Sequence, residues 1–195
     1  MVTTMAAHAP LAAPSPWVRR FAPLMPAGEV LDLACGSGRH VRLLAALGHP
    51  VLAVDRDLQA LTACAAPGVT TEQHDLEKGA PWPFTGREFA GIVVANYLHR
   101  PLFEPLFKAM APGGVLIYET FAEGNGRFGK PSNPDFLLRP GELLEQSRLF
   151  GSGMRIVAYE DGYISQPKPA MVQRICVARP MPGERDGQGW PLQGE

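Results

Sequence analysis

Nothing in this 195-residue chain approaches the roughly 20 consecutive apolar residues that a membrane-crossing helix needs. Cysteine is scarce. Cys35, Cys64 and Cys176 are odd in number and lack metal-site spacing, and with five histidines they form no ligand cluster, so neither a disulfide scaffold nor a metal is expected. An excess of one charge is missing as well: 18 Lys and Arg against 19 Asp and Glu leave a net charge of −1, and the basic residues are scattered. That pattern argues against long RNA or DNA as a partner. The opening residues lack a basic leader before an apolar core, so no secretory signal is expected. These absences together predict a soluble, cytoplasmic protein without nucleic-acid or membrane partners. A hydrophobic content of 46% fits one globular domain, which at this length buries roughly 70% of its unfolded surface and leaves no room for a second catalytic domain.

What is present begins with Val30-Leu31-Asp32-Leu33-Ala34-Cys35-Gly36-Ser37-Gly38-Arg39-His40, an apolar strand running through a glycine-paired turn into a helix. Gly36 and Gly38 let the backbone turn sharply and approach a ligand with no side chain in the way. Seventeen residues after Gly38, the run Val51-Leu52-Ala53-Val54 ends in Asp55, where an open α/β sheet presents a carboxylate to ribose hydroxyls. Strand, turn, helix, strand and acid make one βαβ unit for a nucleotide cofactor. A dinucleotide fingerprint wants a small residue where this chain has Val41, and Asp32 at the mouth of the turn would repel a pyrophosphate. An NAD(P)-dependent oxidoreductase is therefore the weakest reading. The same carboxylate attracts a ligand with an amino group and a sulfonium, and S-adenosylmethionine has both.

Asp32-Leu33-Ala34-Cys35-Gly36-Ser37-Gly38 resembles the first motif, D/E-x-G-x-G-x-G, of the class I S-adenosylmethionine-dependent methyltransferases. Ala34 replaces the first glycine, which implies a backbone there that does not need a positive φ. The resemblance runs from Glu29 to Arg179, about three quarters of the chain, and takes in Asp55, Asp75-Leu76, the run Phe89 to Tyr97, and Ala111-Pro112-Gly113-Gly114 with Val115 to Tyr118. Cys35 to His40 together with Glu119-Thr120-Phe121 looks like the compact bacterial enzymes grouped with the tellurite-resistance and thiopurine-type methyltransferases. The family implies a Rossmann-like, doubly wound α/β fold with a seven-stranded, mostly parallel sheet and an antiparallel hairpin at its edge. It also implies Asp32, Ala34, Gly36, Gly38, Asp55, Asp75, Leu76 and Asn96 as cofactor-binding positions, with S-adenosylhomocysteine as the product.

Along the chain, 1–14 reads as a mobile N-terminus, 15–179 as the domain with a helical cap over 15–28, and 180–195 as a polar tail. Ser15 and Pro16 start a short helix ended before Pro23, and Trp17 and Phe21 share a face. Packing on the domain is favoured for that face over a lid on the cofactor. Strands are expected at 29–34, 51–55, 69–73, around 92–95, 114–120, 155–159 and 171–178, and helices at 39–47, 58–65, 101–110 and 140–150. That alternation implies a parallel sheet covered on both faces.

Methyl transfer is an in-line displacement on an already activated cofactor, so the protein supplies alignment and exclusion of water, with a base optional. Ligands of such sheets bind at the carboxyl ends of the strands. After the fourth strand, His99 is the candidate base, with capping of the following helix as the alternative. Tyr97 either packs on the cofactor or orients the acceptor, and Arg100 either binds an acidic substrate or is solvated. After the fifth strand, Glu119 is the second catalytic candidate. The loop from Glu119 to Pro131 is the expected acceptor pocket, where Arg127 and Lys130 favour an anionic or electron-rich acceptor if they point inward. Cations are disfavoured at a helix N-terminus, so Arg39 should answer an anion, either Asp32 or the cofactor carboxylate, while His40 reads as structural. The expected activity is methylation of a small molecule, with protein methylation or inactive S-adenosylmethionine binding as the alternative.

Overall fold

The computed structural model describes residues 12–79 and 81–183, so the first 11 residues and most of the expected tail lie outside it. Seven strands form one sheet in the order β3-β2-β1-β4-β5-β7-β6. They are β1 (Val30–Leu33), β2 (Val51–Asp55), β3 (Val69–Gln73), β4 (Phe89–Ala95), β5 (Met110–Phe121), β6 (Arg155–Ile164) and β7 (Ala170–Ala178). β1 to β5 pair in parallel, whereas β7 runs antiparallel to both β5 and β6. The chain steps outward from β1 to β3 and returns to β4 beside β1, which makes the carboxyl ends of β1 and β4 the topological switch point where such sheets bind ligands.

Continuous burial of β1 and β4 follows from their lack of polar alternation, Asp32 excepted, as expected of strands covered on both faces. On one face, α1 (Pro16–Phe21), α2 (Arg39–Ala46) and α3 (Leu58–Thr62) bury Trp17, Phe21, Val41, Leu44 and Leu61 against Val30, Val51 and Val93. On the other, α4 (Phe103–Lys108) and α5 (Glu142–Phe150) bury Phe103, Leu106 and Leu143 against Leu31, Ile92 and Leu116.

The Ser15 hydroxyl accepts from the Trp17 N–H and caps α1, as its sequence predicts. The shared apolar face packs on the domain: Trp17 is 3% exposed and Phe21 fully buried. Boundaries moved where local chemistry was ambiguous. The expected helix 101–110 is a 3₁₀ turn, Arg100–Leu102, followed by α4, because Pro101 and Pro105 withhold donors from the first turns. β5 starts at Met110 rather than at 114, crossing Pro112 and Gly113 with a register shift against β4. β6 continues five residues past its expected end through Glu160-Asp161-Gly162, whose polarity suits an edge strand but hides it from a hydrophobic pattern.

Candidate cofactor and acceptor site

The turn after β1 is built from left-handed backbone. Gly36 and Gly38 have φ of 54° and 77°, and Ala34 has φ of 55°, which corrects the expectation that alanine marks an ordinary conformation. An L-residue there carries roughly 1–2 kcal/mol of strain, and the loop holds it in place through the Cys35 N–H bond to the Val54 carbonyl, 3.0 Å. The two glycines serve different ends. A Cβ at Gly36 would project into open space, whereas one at Gly38 would lie 2.7 Å from Cys64 Sγ.

Asp55 ends β2 with both oxygens oriented: Oδ2 accepts from the Gly36 N–H at 2.8 Å and Oδ1 from the Asp57 N–H at 2.9 Å. Asp32 lies inside the buried strand rather than at the mouth of the turn, 1% exposed, and its Oδ2 has no hydrogen-bond partner. Burial pushes its carboxyl up to about 7, against the opposing charge of Arg39. Among the described residues Arg39 forms no ion pair with it, so the expected answering anion is a neighbour rather than a bonded partner. His40 is structural, as read: it is 2% exposed, its Nε2 accepts from the Ser15 N–H at 3.2 Å, and burial pushes its ring down to about 3. The Cys35 and Cys64 thiols, 3.9 Å apart, are buried, and burial raises both, which makes them poor nucleophiles.

Beyond this turn, a cavity of about 160 Å³ is lined by Ala34, Asp55, Asp75, Leu76, Glu77 and Tyr97, with Arg56 and His74. Lys78 at 3.1 Å and the Glu77 N–H hold the Asp75 carboxyl below the usual range. Leu76 packs its side chain on the core. A second cavity, about 230 Å³, opens past β4 and β5 and shares Glu77 and Tyr97 with the first. Asn96, the other non-glycine with positive φ (57°), lines it and donates its N–H to the Glu119 carbonyl at 2.8 Å. The Tyr118 hydroxyl donates to the Tyr97 carbonyl at 2.9 Å, and burial beside Glu77 and Asp75 raises the Tyr97 phenol.

The expected acceptor residues divide. His99 is half-buried at the start of the 3₁₀ turn, and its side chain makes no capping bond. Glu119 is 7% exposed on β5, lies 3.5 Å from Arg174, and lines neither cavity. Arg100 is neither solvated nor free for a substrate. It donates to both oxygens of Glu142, at 2.7 and 2.9 Å, and to the carbonyls of Asp135 and Leu137. Arg127 and Lys130 are exposed and line neither cavity, which corrects the inward orientation that an anionic acceptor required. Thr120, Phe121 and Pro131 of the expected loop line the second cavity, whereas sequence reading missed Glu142 and Phe136 and gave Asn125 no role of its own. Asn125 is 2% exposed, donates to the Pro131 carbonyl and accepts from the Met171 N–H, so it seats the loop on β7. A buried Asn within a glycine-rich run was the available signal.

Residues 30–114 match the family described as methyltransferase domain. A trans-aconitate 2-methyltransferase of Rhizobium meliloti (strain 1021) is 37% identical over 103 residues, which are 50% of this chain and 40% of that protein. One from Delftia acidovorans is 34% identical over 106 residues, 50% of this chain and 39% of that protein. The chain spans less than half the length of these relatives. Among solved structures, TehB from Haemophilus influenzae superposes with a TM-score of 0.64 at 16% identity, over 81% of this chain and 59% of that one. An S-adenosylmethionine-dependent methyltransferase from Mesorhizobium loti gives 0.62 at 19% identity, over 83% and 96%. Residues 30–114 thus match a methyltransferase domain, and the fold around them is shared with solved S-adenosylmethionine-dependent methyltransferases.

Proposed function

We propose that this chain, through its domain over 15–179, transfers a methyl group from S-adenosylmethionine to a small molecule. The observation that carries the reading is a cavity of about 160 Å³ lined by Ala34, Asp55, Asp75 and Tyr97 at the carboxyl ends of the strands, next to a β1 whose buried Asp32 carboxylate has one oxygen without a partner. A cationic nucleoside fits that cavity. Asp32 draws an ammonium. Asp55, held by one N–H on each oxygen, keeps lone pairs for ribose hydroxyls. Asp75 and Leu76 would flank the adenine, the backbone of Ala34, Gly36, Gly38 and Asn96 would approach the methionine part, and Arg39 would answer its carboxylate.

When bound, S-adenosylmethionine supplies a methyl already activated on sulfonium: the acceptor's lone pair forms the new bond to carbon, the carbon–sulfur pair stays on S-adenosylhomocysteine, and any acceptor proton leaves. The chain's own residues align the acceptor and exclude water. His99, one residue beyond Leu98 of the second cavity's wall, is the proposed proton acceptor although its own side chain does not line that cavity. Glu119, engaged by Arg174, is proposed to act through its carbonyl by positioning Asn96.

Isothermal titration with S-adenosylhomocysteine and with NADH tests the reading, followed by a screen of thiols, phenols and amines for S-adenosylhomocysteine release. Binding of the nucleoside without NADH, and release with at least one acceptor, is expected. No heat at millimolar nucleoside, or NADH binding in its place, would refute it.

A further inference from the structure

We propose that the acceptor is a small, ring-sized apolar molecule without an acidic group, so that the tricarboxylate named for the matched relatives is not the substrate of this chain. The inference rests on the methyl-transfer reading above. The cavity past β4 and β5 measures about 230 Å³ and presents Tyr97, Phe121 and Phe136, and its one charged lining group is the Glu77 carboxylate. A pocket so small and so apolar suits one ring, held by few polar contacts.

The cations around it are already engaged or face away. Arg100 donates from its guanidinium to Glu142 and to the loop carbonyls of Asp135 and Leu137. Arg56 lies 3.8 Å from Glu77 and Lys78 3.1 Å from Asp75, while Arg127 and Lys130 are exposed and line neither cavity. A tricarboxylate in this cavity would meet the Glu77 carboxylate, and among the described residues no guanidinium or ammonium lines the cavity to offset it, a juxtaposition of like charges that is disfavoured. The family match ends at residue 114, before Thr120, Phe121, Pro131 and Phe136, so the family model does not reach these walls. Arg100 instead has a positioning role. By gripping the Asp135 and Leu137 carbonyls it sets the 3₁₀ turn Pro134–Phe136, which carries the Phe136 ring.

The test titrates p-cresol, benzylamine and trans-aconitate into the full chain saturated with S-adenosylhomocysteine, by calorimetry. Both ring compounds should bind, and trans-aconitate at least about tenfold more weakly. Glu77→Gln should weaken benzylamine by about two- to fivefold and leave p-cresol unchanged. Phe136→Ala, at a half-exposed position that should not disturb folding, should weaken both. Trans-aconitate binding as tightly as either ring compound, or binding of neither ring compound, would overturn the inference while leaving the cofactor reading intact. Failure of S-adenosylhomocysteine itself to bind would overturn that reading and this one with it.

Discussion

Two carboxylates, each 1% exposed, one within β1 and one at the start of α5, are treated in opposite ways. Burial pushes the Glu142 carboxyl up, but Arg100 and the Arg139 N–H outweigh it and hold the group below its usual range. Burial pushes Asp32 up to about 7, and no bonded partner answers on its free oxygen. The proposed acceptor end neutralises its own charge, so the Arg100–Glu142 geometry is set before any ligand arrives. The cofactor end leaves a charge unanswered, so the unbound chain is least comfortable where a cation is proposed to bind.

The largest expected effect separates these carboxylates by pH. A group with a raised folded pKa binds more protons folded than unfolded, so Asp32 makes the unbound chain lose stability as pH rises from its ordinary 3.8 towards about 7. The full loss is on the order of 4 kcal/mol. Glu142 has the opposite sign: its contribution is present above 4.5 and fades as pH falls through its lowered value. Chemical denaturation between pH 4 and 8 should show the decline, Asp32→Asn should flatten it, and S-adenosylmethionine should reduce it. An unchanged slope in Asp32→Asn would assign the decline elsewhere.

Breaking the acceptor end comes next. Arg100→Ala leaves Glu142 with the Arg139 N–H and a guanidinium 3.5 Å away, and frees the Asp135 and Leu137 carbonyls. Loss of one partner of a buried pair costs about 3 kcal/mol, reduced here because Arg100 is 37% exposed. Acceptor binding should fall with it, while S-adenosylhomocysteine affinity stays within about twofold, since additivity holds for sites without shared partners. At the other end, Asp55→Ala should weaken the nucleoside by roughly 1.5–3 kcal/mol, the scale of a lost charged hydrogen bond, with little effect on acceptor probes. Equal losses in both ligands from either variant would erase the distinction between the ends.

The same contrast explains what was legible in the sequence. The proposed cofactor end is local: Asp32 in β1 and Gly36 and Gly38 in the turn after it lie within seven residues, and Asp55 ends the next strand, so spacing alone singled them out. The seven-stranded, mostly parallel sheet with its antiparallel edge hairpin followed from the strand–helix alternation and the family resemblance. The acceptor end depends on pairs far apart in sequence, Arg100 with Glu142 and Asn125 with Met171, and no period or motif announces a contact across more than 40 residues. Arg100 therefore read as a free cation, and Phe136 did not read at all. The Ala34 conformation was misjudged for a third reason: a preference against positive φ was taken as a prohibition, whereas a packed loop holds one strained residue in place.

The smallest effect concerns the two glycines of the turn, where strain and space can be told apart. Gly36→Ala and Gly38→Ala both place a side chain on left-handed backbone, at about 1 kcal/mol of stability each. Only the second adds a contact, 2.7 Å from Cys64 Sγ, while the first meets nothing within 4 Å. Cys64→Ala removes that sulfur, so it should recover part of the Gly38→Ala loss and none of the Gly36→Ala loss. The coupling should be about 0.5–1 kcal/mol in a double-mutant cycle read by urea denaturation. Gly36→Ala should instead lose S-adenosylhomocysteine affinity beyond its effect on stability, because its methyl occupies space proposed for the ligand. Coupling of Cys64 to Gly36 rather than to Gly38 would mean that the turn is arranged differently in solution.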